Sequence, residues 1–283
     1  MPANPGSGVR DILVIVDLGG ERRAAVVAAD LARQLEAHLT GLSIVYEPLI
    51  PVYTFAAPIP TDFVVAAREQ NVADARAALE AFEAIGRQAG ISVESRTSES
   101  IAGDSFVAVV RNAILADIAV VGQEDPDRPE PSREAVIEAL LFQAGIPTLM
   151  VPFAGVSEFT ADKVVVAWNG SPASGRAVRA AMPLLTNARE VLVAMVDEGW
   201  EKEGEPGAEI GAYLARHDLN VTVRTIENAT NGAGEALLSF AAAEEADWMV
   251  MGAYGHSRLR EFLLGGATRH VLANATLPIL MSH

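Results

Sequence analysis

The residues best placed to do chemistry are glycines. Gly252 and Gly255 follow a short apolar run, nine residues separate Gly255 from Gly265, and Gly266, Ala267 and Thr268 come directly after. A glycine has no Cβ, so its backbone can lie against a ligand. A helix opening at 265–268 would aim free N–H groups and its positive dipole end at the carboxyl edge of a sheet, where open α/β folds bind their ligands. That chemistry is phosphate binding. His256, Arg258 and Arg260 add positive charge in between. The plainer alternative is that these glycines only tighten a turn after a parallel strand. The pattern is neither a Walker loop, since no Gly-Lys-Ser/Thr follows, nor G-x-G-x-x-G.

Other chemistries are poorly served. The chain has no cysteine, which removes thiolate nucleophiles, zinc ribbons and Fe–S clusters together. Its histidines, at 38, 217, 256, 270 and 283, show no metal-ligand spacing with carboxylates nearby. There is no G-x-S-x-G elbow and no paired-carboxylate motif. Asp17 stands where a doubly wound enzyme could keep an acid, but Leu18, Gly19 and Gly20 offer it no partner. The segment 200–207, with Glu201, Glu203 and Glu205, reads as a solvated turn. The expectation is therefore no enzyme, or at most slow hydrolysis of a bound phosphate ligand. With 37 acidic against 21 basic residues and a net charge of −16, the surface repels nucleic acid and anionic membranes. A phosphate ligand needs a local exception to that field. The absence of an 18-residue apolar run and of a basic, apolar N-terminal signal predicts a cytoplasmic protein.

The elements that must position these residues come in two copies. The run DILVIVD at 11–17 matches KVVVAWN at 163–169; DIAVVG at 117–122 matches DWMVMG at 247–252; AGIPTLM at 144–150 matches ATLPILM at 275–281. Three matches in one order indicate an internal duplication, with a first domain over 1–154, a second over 155–283, and the join near 155–161. Each copy alternates short apolar runs with helical stretches. Strands are expected near 12–17, 40–46, 91–97, 117–122 and 148–152, then 163–169, 190–196, 220–226, 247–252 and 278–282. Helices are expected near 22–38, 62–89, 103–115 and 133–143, then 173–185, 206–217, 232–245 and 265–274. Continuous apolar runs mark strands buried on both faces, hence parallel sheets flanked by helices. The first copy carries an apolar, proline-rich insertion at 47–62, which is expected to pack on the first domain's cleft or on a second chain. It also replaces the glycine loop by QEDPDRPEPS at 123–132. Glu124, Asp125, Asp127 and Glu130 would repel a triphosphate, and this stretch reads as a solvated acidic loop.

The pattern Gly252-x2-Gly255-x9-Gly265, with its following helix and Pro-Ile-Leu strand, resembles the ATP-binding signature of the universal stress protein (UspA) family. The resemblance spans the whole chain as two tandem domains and is closer in the second. It implies a five-stranded parallel sheet of order 3-2-1-4-5 in each domain. It also implies an adenine near Ala167, Asn169 and Met195. Ribose and phosphates would then lie near Met251, Gly252, Gly255, His256, Gly265, Gly266, Ala267 and Thr268. The ligand implied is ATP, with AMP or ADP as alternatives and Mg2+ as an accompanying ion. Two residues depart from the family. Asn169 replaces the usual Asp, and its amide still pairs with adenine. Gly266 replaces a Ser or Thr, which removes a hydroxyl worth about 1 kcal/mol.

Two function classes follow. One is a nucleotide-responsive stress protein that docks an unidentified protein partner, with ATP in the second domain only. The other is a nucleotide-free scaffold or chaperone-like stress protein. The apolar edge segments 147–151 and 278–282 call for cover. They are expected to pair antiparallel within the chain as a pseudo-dimer, with a homodimer as a further level of assembly.

Overall fold

The computed structural model describes residues 8–47, 61–99, 106–130, 133–197, 207–227, 229–253 and 266–283. The first half runs β1 (Asp11–Ile15), α1 (Arg23–Leu35), β2 (His38–Val45), α2 (Thr61–Ala89), β3 (Val93–Glu99), α3 (Val107–Ala113), β4 (Ile118–Gly122), α4 (Arg133–Glu138) and β5 (Thr148–Val151). α4 continues as one π-helical stretch, Ala139–Ala144. The second half repeats the plan with β6 (Lys163–Ala167), α5 (Pro172–Leu185), β7 (Glu190–Val196), α6 (Ala208–Ala215), β8 (Val221–Ile226), α7 (Ala233–Ala243), β9 (Trp248–Gly252), α8 (Ala267–Asn274) and β10 (Ile279–Ser282). Residues 48–60 of the insertion and 198–206 lie outside the described residues, and so does the packing expected of the insertion.

All ten strands join one sheet, ordered β3-β2-β1-β4-β5-β10-β9-β6-β7-β8. Each half is parallel in the order 3-2-1-4-5, as anticipated. The halves meet through β5 and β10, which pair antiparallel with Leu280 opposite Leu149, Ile279 opposite Met150 and Met281 opposite Thr148. The edge strands thus cover each other, and the pseudo-dimer is built into the chain. Apolar side chains alternate between two layers. One packs under α1, α2, α5 and α6, the other under α3, α4, α7 and α8, and both run through the two halves.

The residues repeated in sequence turn out to be structural devices. Asp117 Oδ2 accepts from the backbone N–H of Arg10 and Asp11, at 2.7 and 3.0 Å. Its counterpart Asp247 Oδ2 accepts from Lys163 N at 2.7 Å. Each carboxylate ties the start of its half's first strand to its fourth. The connection from β5 to β6 is held down as well. Phe159 is 3% exposed, rests on Trp248 with ring centroids 5.6 Å apart, and has its N–H donating to Asp30 on α1 at 3.0 Å. The linker therefore bolts the first half's helix layer to the second half's core.

Candidate functional site

In the second half the chain steps from β6 to β7 and β8 on one side and to β9 and β10 on the other. The crevice between the carboxyl ends of β6 and β9 is the switch point at which such sheets bind ligands. Ala167 and Met251 are register partners there, and Ala167 also pairs with Ala194. The structure thus brings Ala167, Met251 and Gly252 to one edge. Asn169 is exposed just beyond, and its Oδ1 accepts from Ser171 N at 3.1 Å, so the amide shapes the turn into α5. Met195 is 8% exposed and packs in the layer under α5 and α6, while Met251 packs in the opposite layer. The two methionines are not brought together.

α8 opens with small residues. Gly266 and Ala267 are half-buried and Thr268 is buried. The helical ladder begins with His270 N donating to Gly266 O at 3.3 Å, and a helix's first turn leaves amides without acceptors inside the helix. α8 is held from two sides. A Cβ at Gly234 of α7 would lie 2.9 Å from Ala267 O, so the helices cross there in close contact. From the first half, Gln123 Nε2 donates to Leu272 O at 3.0 Å, and Glu134 lies 3.5 Å from Arg269. Gly255, His256 and Gly265, with Arg258 and Arg260, lie outside the described residues.

Gly252 has a role that spacing alone does not reveal. A Cβ there would collide with the backbone of Ser174 N and lie 2.7 Å from Ala173 C. Ser171 caps α5, accepting from Ser174 N at 3.2 Å, and Pro172 follows. The helix therefore starts three residues after Asn169, and its first turn sits directly on Gly252. In the first half α1 starts six residues after Asp17. The space over Gly122 is filled instead by the Asp17 carboxylate, with Oδ1 2.7 Å from where a Cβ would be.

The acidic loop of the first half corrects the expectation of a solvated turn. Glu124 and Asp127 are exposed, but Glu130 folds inward. Arg133, the first residue of α4, is 5% exposed, and its Nη2 contacts Asp17 Oδ1 and Glu130 Oε2, both at 2.8 Å. Glu130 Oε1 also accepts from Leu18 N at 2.7 Å. Asp17 does have a partner, 116 residues away. Burial holds the Asp17 and Glu130 carboxyls above the ordinary carboxylate range, although Arg133 pulls both down. Burial likewise raises the Tyr46 phenol beside them. Where the second half opens its helix with Gly266, Ala267 and Thr268, the first half places a buried guanidinium and two carboxylates.

Among the described residues no group of three or more His, Asp or Glu side chains is arranged to hold a metal ion. No described helix is long and apolar enough to cross a membrane.

Comparison with known proteins identifies the fold independently. Residues 160–283 match the model of the universal stress protein family. A universal stress protein from Archaeoglobus fulgidus DSM 4304 superposes with a TM-score of 0.68 at 15% identity, covering 96% of each chain. A putative universal stress protein from Pseudomonas aeruginosa UCBPP-PA14 does so with a TM-score of 0.54 at 17% identity, covering 98% of this chain and 94% of that one. A universal stress protein solved in complex with cAMP is 23% identical and aligns with 43% of this chain and 97% of its own, at a TM-score of 0.34. No curated protein matches by sequence search.

Proposed function

We propose, from a chain whose second half belongs to the universal stress protein family and whose whole length carries that fold in tandem, that the protein binds an adenine nucleotide in its second half. ATP is the first choice, AMP and ADP the alternatives. The contrast between the two halves carries this reading. At the same place in the repeat, the second half offers small residues at a helix start and the first offers a filled, carboxylate-rich corner. Ala167 and Asn169 would border the adenine, with Met195 beneath the neighbouring strand end. Met251, Gly266, Ala267 and Thr268 would border the ribose and phosphates, together with Gly255, His256 and Gly265. Mg2+ would come with the phosphates. Binding, with at most slow hydrolysis, would alter what the cytoplasmic protein docks to.

One observation favours a second reading, a nucleotide-free scaffold or chaperone-like stress protein. Gly252 is required by the backbone of α5 whether or not a ligand is present. Two measurements separate the readings. Protein purified without added nucleotide should release ATP, ADP or AMP on denaturation. In calorimetry with ATP, cAMP and AMP, Gly265→Asp should weaken binding more than tenfold, about 1.4 kcal/mol. Gly122→Asp is not a fair control, because its side chain would displace Asp17. Gly19→Leu replaces it, since nothing among the described residues lies within 4 Å of a Cβ at Gly19. No binding at millimolar nucleotide leaves the scaffold reading. Phosphate release above a few turnovers per hour would overturn the assignment as a binder.

A further inference from the structure

The first half grips α8 in a way that the second half does not return. Gln123 follows β4 directly and is 5% exposed. Its Nε2 donates to Leu272 O at 3.0 Å, and its Oε1 accepts from Phe153 N at 3.3 Å. Leu272 lies in the last turn of α8, where carbonyls find no donors inside the helix. The other half of the chain supplies the donor instead. The remaining ion pair from the first half to α8, Glu134 with Arg269 at 3.5 Å, joins side chains that are 56% and 60% exposed. Exposed pairs of that kind contribute little, so the buried amide is the stronger of the two holds.

The repeat shows that the fold itself does not require this hold. Gly122 and Gly252 are equivalent, so Gln123 corresponds to Ala253, and Leu272 corresponds to Leu141. The backbones at 123 and 253 behave alike. Gln123 N donates to Val151 O at 2.7 Å and Ala253 N to Ser282 O at 2.9 Å, each at the end of its half's last strand. The side chains differ, because Ala253 has no donor to offer Leu141. A buried amide costs free energy unless it is paired, and the first half carries one where it faces α8. That helix has eight residues, a rod about 12 Å long. Fixing Leu272 along its axis also fixes the backbone at Gly266–Thr268. At that other end, Gly234 of α7 crosses in contact with Ala267 O.

We propose that Gln123 is a positioning residue for α8: from the first half, it sets where that helix's opening turn stands at the carboxyl edge of the second half. On the reading of that edge as the nucleotide site, on which this part rests, Gln123 tunes affinity for the ligand's phosphates and leaves the adenine end alone. The first half then serves as a brace for its partner's site.

The test compares the full-length protein with two variants. Gln123→Met keeps the side chain's length and makes neither bond. Gln123→Glu keeps the acceptor for Phe153 and loses the donor to Leu272. Circular dichroism checks that both are folded. Without nucleotide, amide hydrogen exchange in α8 should be roughly fivefold faster or more in each variant, about 1 kcal/mol, while exchange in β7 stays as in the wild type. In calorimetry, ATP affinity should fall by a similar factor, and adenosine affinity should not change, since adenosine carries no phosphate. Unchanged α8 exchange in folded Gln123→Met, or wild-type behaviour of Gln123→Glu, would overturn the proposal. An equal loss for ATP and adenosine would also overturn it, because that is general loosening. If the wild type binds neither ligand, the nucleotide reading falls, and the exchange rates alone decide whether Gln123 positions α8.

Discussion

Arg133 holds two carboxylates on one nitrogen, and this makes the corner sensitive to single substitutions. Arg133→Met would leave Asp17 and Glu130 buried side by side without a counter-charge. Breaking such a pair typically costs about 3–5 kcal/mol, and urea denaturation of the variant should show a loss of that size. The same corner has a pH signature. A carboxyl held above its ordinary range binds its proton more tightly in the folded state. Its contribution to stability therefore falls as pH rises from the usual carboxylate range of about 4 through the raised values. Asp17→Asn should flatten that fall, and the difference between wild-type and variant stability across pH 4–7 is the measurement. None of this was legible in the run at 123–132. Its charges read as solvated because Leu18, whose N–H donates to Glu130, and Asp17, which holds the neighbouring Arg133 inward, both lie over a hundred residues away.

At the level of elements, the starts of α5 and α8 decide what the second half's edge can hold. Gly252 lets α5 begin early, so Gly252→Ala should cost about 1–3 kcal/mol through overpacking, measurable as a lowered denaturation midpoint. Gly122→Ala should also destabilise, since its Cβ meets Asp17 Oδ1, the atom that Arg133 holds. Ser171→Ala, which removes the cap of α5, should cost about 1 kcal/mol. The elements themselves were largely legible. Strands buried on both faces must be continuous apolar runs, and β6 and β9 are. The two roles of Gly252 were not distinguishable by spacing, because a glycine that admits a ligand and one that admits a helix are the same residue. The position of Met195 was likewise hidden. Adjacency to a strand end does not say on which face a side chain falls.

On the scale of the whole molecule, both core layers cross the seam, so the halves should unfold together. All three tryptophans, 168, 200 and 248, are in the second half, which makes their fluorescence a reporter of that half alone. Urea transitions followed by fluorescence and by far-ultraviolet circular dichroism should coincide. A dichroism transition without its fluorescence counterpart would show the first half unfolding by itself. The seam was legible because two apolar edge segments at equivalent places needed cover. Its register was not, since pairing across a two-fold depends on which residue lies on the axis.

That register, with Leu149 opposite Leu280, is symmetric under the repeat's own equivalence. Two separate half-length chains pairing in this way would be a homodimer, held together only above its dissociation constant. Joined by the short connection from β5 to β6, the same surfaces meet at an effective concentration in the millimolar range. Assembly then no longer depends on how much protein the cell makes. Nor do the two partners have to carry one sequence. A homodimer must accept every substitution twice, once on each side of its axis. A fused pair need not, which leaves one copy free to keep a helix start bare while the other fills it with arginine.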